Sequence, residues 1–308
     1  MAIPVALDLD TGVDDTLALI LALRSPELGL RAVTTVAGNT PVESATRNTM
    51  LILDLLQVSA DLRLAQGAAQ PLARSLVTAP EVHGADGLGN VRGIYPASAR
   101  SVAQVDAAGL LLEAIRAQTG ALTLVATGPM TNLALALARD AATFRRVKEI
   151  IQMGGAVSVP GNTGPHAEFN IYVDPEAANA VFAAGLPLRL VPLDVTEQLV
   201  LTRARLRELA QERDSAVFQF VRECTVLYFD FHQQQLGWRG GYLHDPAAVT
   251  AAFHPEWFTW RRARLSVDTS EAERGRVRAE WDESATAQVA TGVEVKRVVS
   301  LVEERVCR

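Results

Sequence analysis

The chain has 308 residues, 49% hydrophobic and 21% charged, which describes a globular protein with a core that needs no disulfide or metal staple. Its 29 basic residues against 35 acidic ones leave a net charge of −6, which excludes a duplex DNA or RNA binder working through a basic surface. Cys224 and Cys307 stand too far apart in sequence to suggest a disulfide framework or a zinc spacing, so the expectation is one buried thiol and one near a frayed terminus. No signal-like leader and no apolar run of membrane-spanning length is read, so a soluble, cytoplasmic protein with no membrane partner is expected.

In chain order, residues 3–9 read as a buried strand and 14–23 as a buried helix stopped at Ser25-Pro26. Residues 31–37 are strand-like, and 41–56 helical, with Pro41 suited to a first turn. Three more strands are predicted over 122–126, 149–153 and 188–192. Each ends at a polar or Gly-rich turn before helical sequence resumes. Such alternation predicts an α/β fold, a mostly parallel central sheet flanked by helices. Segments 261–267, 276–281 and 292–301 read as a small C-terminal β addition with a final helical turn. No linker, repeat or low-complexity stretch divides the chain, so residues 1–308 are expected to form one domain.

In open α/β sheets, ligands sit beyond the carboxyl ends of the strands. The first of those ends carries Asp8, Asp10, Asp14 and Asp15 within eight residues. Positions 8 and 10 share a strand face, Gly12 permits a tight turn, and Asp14 and Asp15 open the next helix. Two carboxylates ~5 Å apart repel by about 3 kcal/mol at an effective dielectric of ~20. A helix N-terminus offsets only ~0.3–1 kcal/mol per charge. No Lys or Arg precedes Arg24. Either the pKa values rise or a cation binds, and an all-oxygen ligand set favours Ca²⁺ or Mg²⁺ over zinc. Two weaker signals follow. Ala167-Glu168-Phe169-Asn170, preceded by Gly161-Asn162, offers polar groups suited to hydroxyls, or only a polar loop. His244-Asp245-Pro246 offers a further carboxylate, or only a helix start.

Together these strings resemble the inosine-uridine nucleoside hydrolase family. The opening Asp8-Leu9-Asp10-Thr11-Gly12-Val13-Asp14-Asp15 is similar to its aspartate signature, with Thr11 where the family commonly has Pro. Gly38-Asn39, His83-Gly84 with Gly87-Leu88-Gly89, Thr127-Gly128-Pro129-Met130-Thr131-Asn132, Met153-Gly154-Gly155, Gly161-Asn162 through Asn170, and His244-Asp245-Pro246 follow in family order. The matches span about four fifths of the chain. The resemblance implies a single Rossmann-like domain, a homodimer or homotetramer, that hydrolyses the N-glycosidic bond of ribonucleosides with Ca²⁺. Implied Ca²⁺ ligands are Asp10, Asp15, the Thr127 carbonyl and Asp245, with Asp10 also the base that activates the attacking, metal-bound water. Asp14, Asn39 and Asp245 would hold the 2′- and 3′-hydroxyls, and Asn162, Glu168 and Asn170 the 5′-hydroxyl. Met153 would pack near the sugar, and Asp8 would orient its neighbours.

His244 is taken as the acid for the departing base, its protonation favoured by the acidic pocket. The alternative donors His232, Tyr228 and Tyr242 lie in segment 228–242, which also contains Trp238 and falls where the family varies. His83 either shapes its loop or touches substrate. Two other classes remain. Asp8-Leu9-Asp10-Thr11 is similar to the start of haloacid-dehalogenase-type, Mg²⁺-dependent phosphatases, which also need a phosphate-binding Lys, yet only Lys148 and Lys296 occur. A non-catalytic nucleoside- or ribose-binding protein is the other.

Overall fold

The computed structural model describes residues 2–237 and 240–308. Eleven strands form in chain order: β1 (Ile3–Leu9), β2 (Leu28–Thr35), β3 (Leu64–Gln66), β4 (Thr123–Ala126), β5 (Glu149–Met153), β6 (Leu188–Val191), β7 (Val200–Thr202), β8 (Gly240–Tyr242), β9 (Phe258–Val267), β10 (Val277–Trp281) and β11 (Gln288–Val293). Nine build one sheet in the order β10-β9-β11-β6-β5-β4-β1-β2-β3, and β7 pairs with β8 apart from it. Only β9 runs against the others in that sheet, antiparallel to both β10 and β11. The fold is thus a mixed α/β domain with a mostly parallel sheet, as the alternation predicts, and its β addition extends the same sheet.

The order β3-β2-β1-β4-β5-β6 reverses direction between β1 and β4, which lie side by side from Val5↔Thr123 to Asp8↔Ala126. Chain leaving the two strands there diverges to opposite sides and opens a crevice at their carboxyl ends. Period-two alternation puts Val5, Leu7 and Leu9 into the core on one face of the sheet and Ala6 into the core on the other. Asp8 has the parity of Ala6. It therefore faces the side occupied by the helix Thr131–Arg139, from which Asn132 reaches it.

The helix Val13–Leu23 is buried from Val13 to Ala22 because it is apolar nearly all round and is packed among other helices. Its only polar buried residues are Asp14, Asp15 and Thr16, all in the first turn beside the crevice. The helix His244–Phe253 packs against it and brings its own first turn, with Asp245, to the same place.

Several sequence readings need correction. Segment 292–301 is strand only at its start; the rest belongs to the helix Val295–Val306, whose buried Val298, Leu301, Val302 and Val306 repeat at helical spacing. Pro41 is the N-cap residue rather than a first-turn residue, with Val42–Leu55 helical after it. Cys307, the C-cap residue of the helix Val295–Val306, is buried like Cys224, and both are free thiols. Gly12 has φ −92°, open to any residue, and what it provides is space. A Cβ there would sit 2.6 Å from His83 Nδ1 and 2.8 Å from Asn39 Nδ2. Trp238 lies outside the described residues. Among the described residues, no helix is long and apolar enough to cross a membrane.

Candidate active site

A cavity of about 370 Å³ opens at the switch point between β1 and β4, a size suited to a small organic ligand. Asp14, Asn39, Thr127, Met153, Asp245 and His244 line its floor and walls, with Asn162, Glu168 and Asn170 at one end. Every residue singled out in the sequence for substrate therefore borders one space. Asp8, Asp10 and Asp15 lie beneath it, fully buried.

The floor is built by short loops that spend backbone and amide groups on carboxylates. Asp10 Oδ2 accepts from the Asn39 backbone N–H at 2.7 Å, and its Oδ1 from Asn39 Nδ2 at 3.2 Å. The same Nδ2 donates to Asp15 Oδ2 at 3.0 Å, so one amide ties Asp10 to Asp15. Such an approach requires Gly38: a Cβ there would stand 2.1 Å from Asp10 Oδ2. Asp15 also accepts from the Gly12 N–H at 2.9 Å, closing the helix N-terminus, and from Thr127 Oγ1 at 2.6 Å. Asp8 Oδ1 accepts from Thr34 Oγ1 and Asn132 Nδ2.

These bonds do not satisfy the cluster. Asp8 Oδ2, Asp14 Oδ1 and Asp245 Oδ2 are buried without a hydrogen-bond partner. Among the described residues, no Lys or Arg pairs with any of the five aspartates, and the nearest basic group, His83 Nδ1, stands 3.9 Å from Asp14 Oδ1. That nitrogen accepts from the Val13 backbone N–H at 3.1 Å, and burial pushes the His83 pKa down to about 3, so it brings no charge. Burial, followed by the charge of Asp15, raises Asp10 well above the usual carboxylate range and lifts Asp14 to about 8. Asp245 is raised by burial and then by Asp14 and Asp15, and Asp8 goes up to about 6 through burial.

Carboxylate oxygens of Asp14, Asp15 and Asp245 lie within 4.8 Å of one another, a spacing that suits a shared cation. Two of these residues supply unpartnered oxygens, so the donor set fits a hard, oxygen-seeking divalent ion. Asp10, expected among the ligands, adjoins Asp15 but is outside this trio, because the Asn39 turn draws both its oxygens aside. The Thr127 carbonyl, also expected there, accepts from Asn170 Nδ2 at 2.6 Å and keeps a second lone pair.

The expected 5′-hydroxyl loop is held mostly by itself. Glu168 caps the helix Phe169–Val173, accepting from Asn170 N, Gly155 N and Ile171 N, and burial raises its pKa to about 7. Asn162 Oδ1 accepts from Phe169 N, while Asn170 reaches inward to Thr127 and Met153.

The opposite wall is aromatic. Rings of His83, Tyr228, His232, Tyr242 and His244 follow one another at centroid distances of 5.8, 4.4, 5.2 and 5.1 Å. Segment 228–242 thus supplies part of this wall, from the helix Ala216–Leu236 and from β8. Tyr228 Oη donates to the Tyr242 carbonyl and His232 Nδ1 bonds the Tyr228 carbonyl. His244 contradicts the expectation of easy protonation. Burial first, then the neighbouring His232 and His83, lower its pKa to about 3. Its Nδ1 lies 2.7 Å from Thr196 Oγ1. Thr196, Asn132 and Thr34 are partners the sequence reading missed. The first two stand in the helices that follow β6 and β4, where position alone marked them. Lys148, which a phosphatase would need at the site, pairs with Glu149 at the start of β5, the far end of the strand.

Fold and site together define a Rossmann-like domain with a small-molecule pocket at its switch point, acidic below and aromatic on one wall. The chain belongs to the inosine-uridine preferring nucleoside hydrolase family, whose sequence profile matches residues 5–300. It is a hydrolase of N-glycosyl bonds. Over 97% of its length it is 33% identical to a probable uridine nucleosidase 1 of Oryza sativa subsp. japonica, of which 94% is covered. A pyrimidine-specific ribonucleoside hydrolase RihA of Shewanella sp. (strain ANA-3) is 40% identical, over 87% of this chain and 83% of that one. Among solved structures, a plant nucleoside hydrolase, PpNRh1, superposes with TM-score 0.94 at 33% identity, covering 100% of this chain and 99% of the other. A purine-preferring ribonucleoside hydrolase from Gardnerella vaginalis gives 0.93 at 32%, over 99% and 98%.

Proposed function

We propose that the protein hydrolyses ribonucleosides to free base and ribose in a Ca²⁺-dependent reaction, as a homodimer or homotetramer. The observation that carries the metal requirement is the buried group Asp14, Asp15 and Asp245, with unpartnered oxygens and, among the described residues, no Lys or Arg paired to it. Asp10, Asp15, Asp245 and the Thr127 carbonyl would hold the ion, and Asp14, Asn39 and Asp245 the vicinal diol. When bound, Ca²⁺ would supply a Lewis-acidic centre that orients the diol and acidifies water.

The chain's own residues do the rest. Breaking the ribosyl C–N bond builds positive charge on the sugar, and a floor of carboxylates stabilises that charge. Asp10, buried on the cavity floor beside Asp15, takes the proton of the attacking water. Met153 packs against the sugar, and the Asn162, Glu168 and Asn170 end receives the 5′-hydroxyl. On the aromatic wall, Thr196 donating to His244 Nδ1 would leave the proton on Nε2, and neutral His244 then hydrogen-bonds the departing base.

Release of reducing sugar from a panel of ribonucleosides, before and after chelation, tests the reading. Activity should vanish with chelator and return with Ca²⁺. Full turnover in protein shown by elemental analysis to be metal-free would overturn the metal site.

A further inference from the structure

Two successive carbonyls in the turn after β4 are each held by a side-chain amide from elsewhere in the chain. Asn170 Nδ2 donates to the Thr127 carbonyl at 2.6 Å, and Gln152 Nε2 donates to the Gly128 carbonyl at 2.9 Å. Both amides also reach the Met153 carbonyl, Gln152 at 2.6 Å and Asn170 at 3.3 Å. The turn that carries an expected metal ligand is thereby fastened to the end of β5.

Gln152 arrives there by strand register. It lies between Ala126 of β4 and Leu190 of β6, and alternation puts it with Ile150 on the sheet face opposite Met153. Its side chain is wholly buried, and its Oε1 has no hydrogen-bond partner. An apolar side chain would fill that position without stranding an acceptor, so what the amide contributes is its NH₂. The turn needs such a hold on its carboxyl side. On the amino side, the Thr127 N–H bonds the Asp8 carbonyl at 2.9 Å and Thr127 Oγ1 bonds Asp15 at 2.6 Å. Beyond Thr127, however, Gly128 has the widest backbone freedom of any residue, and Pro129 has no N–H to anchor. A Cβ at residue 128 would stand 2.8 Å from Val36 and 3.0 Å from Asp10, so close packing bars a stiffer residue there.

We propose that Gln152 is a positioning residue for the Thr127 carbonyl: its NH₂ fixes the Thr127-Gly128 turn, and so the direction of that carbonyl at the cavity. The inference rests on the Ca²⁺ site proposed above. Gln152 acts through the turn. A carbonyl already held in one direction binds an ion without first giving up motion, so loosening the turn weakens the metal rather than the fold alone.

Calorimetric titration of the metal-stripped full chain with Ca²⁺, beside thermal unfolding in chelator, tests this role. Gln152→Met keeps an unbranched side chain of similar length but cannot donate. It should retain the fold by circular dichroism and bind Ca²⁺ about 10-fold or more weakly than the parent. The rise in Tm that Ca²⁺ gives the parent should shrink accordingly. Gln152→Asn, which carries its amide on a shorter stem, should also bind Ca²⁺ more weakly, and it carries the test if the Met variant does not fold. A merely structural role would lower the Tm in chelator and leave the Ca²⁺ affinity at the parent's value, and that result in the folded variants overturns the proposal. A parent that binds no Ca²⁺ overturns the metal site itself and this inference with it. A parent and variants that bind equally well refute only the role of Gln152.

Discussion

Replacing Glu168 with Gln separates the cost of burying its charge from the value of its hydrogen bonds. Folding raises this carboxyl from 4.5 to about 7, because burial outweighs three backbone N–H groups. A group that binds protons more tightly when folded contributes stability that is full below the unfolded pKa and is lost as pH climbs through the folded one. Integrated between pH 5 and 8, that loss is on the order of 2–3 kcal/mol. Glutamine cannot titrate, so Glu168→Gln should lack this slope. The variant also turns an NH₂ toward backbone donors, leaving at least one of Gly155 N–H and Asn170 N–H unsatisfied at a cost of ~1–3 kcal/mol. At pH 5 the variant should therefore be clearly less stable than the parent, and by pH 8 the gap should close by roughly 2–3 kcal/mol. Urea unfolding of both proteins, with chelator, at the two pH values measures the double difference. Parallel pH profiles would refute the reasoning, since Glu168 would then be titrating as an ordinary carboxylate.

Three further outcomes are expected. Asp10→Asn should lower kcat by ~10²-fold or more with KM less affected, checked by steady-state kinetics with calorimetry for the metal; unchanged kcat with metal bound would assign the base elsewhere. A 2′-deoxynucleoside should be a far poorer substrate than its ribonucleoside, with discrimination approaching ~10⁴ where buried Asp14 and Asp245 lose their hydroxyl partner. Equal kcat/KM for the pair would remove Asp14 from diol binding. His244→Ala should slow hydrolysis of a natural nucleoside while sparing a riboside whose leaving group departs without protonation. Because burial holds this histidine neutral, the parent's kcat should show no histidine-like limb between pH 5 and 8.

Much of this was legible in the sequence because strong period and strong chemistry coincide. The strands Ile3–Leu9 and Glu149–Met153 have the predicted bounds: each is a continuous apolar run ended by a turn. The short strands Leu64–Gln66, Val200–Thr202 and Gly240–Tyr242 carry too few residues to show a period, and pairing alone makes them strands. At 292–301 β-branched valines suggested a strand, but their spacing of three and four places them on one helix face, and packing decided it. The aspartate cluster was visible as uncompensated charge. Which carboxylates face one another was not, since Asp245 arrives from 230 residues downstream on a different helix. His244 shows the same limit: Asp245 beside it in the chain suggested easy protonation, whereas burial, which no local pattern displays, keeps it neutral, with His232 and His83 adding to the effect.

The distribution of basic residues gives the site its meaning. Ion pairs of Arg74 with Glu176, Arg100 with Asp54 and Arg139 with Asp106 all lie outside the cavity floor, and an exposed pair such as the last contributes little to stability. At the switch point, where five buried aspartates most need a counter-charge, none pairs with a Lys or Arg among the described residues. Burying carboxylates this way works against folding, and their raised pKa values record that cost. Nothing in the backbone geometry forces the arrangement, and an arginine near Asp14 would relieve it. Such an arginine would also cancel the negative potential on which the proposed cation site and the proposed charge build-up on the sugar both depend. The compensation is therefore left to what binds, which makes the same carboxylates a liability in the free protein and a stabilising field in the reacting one.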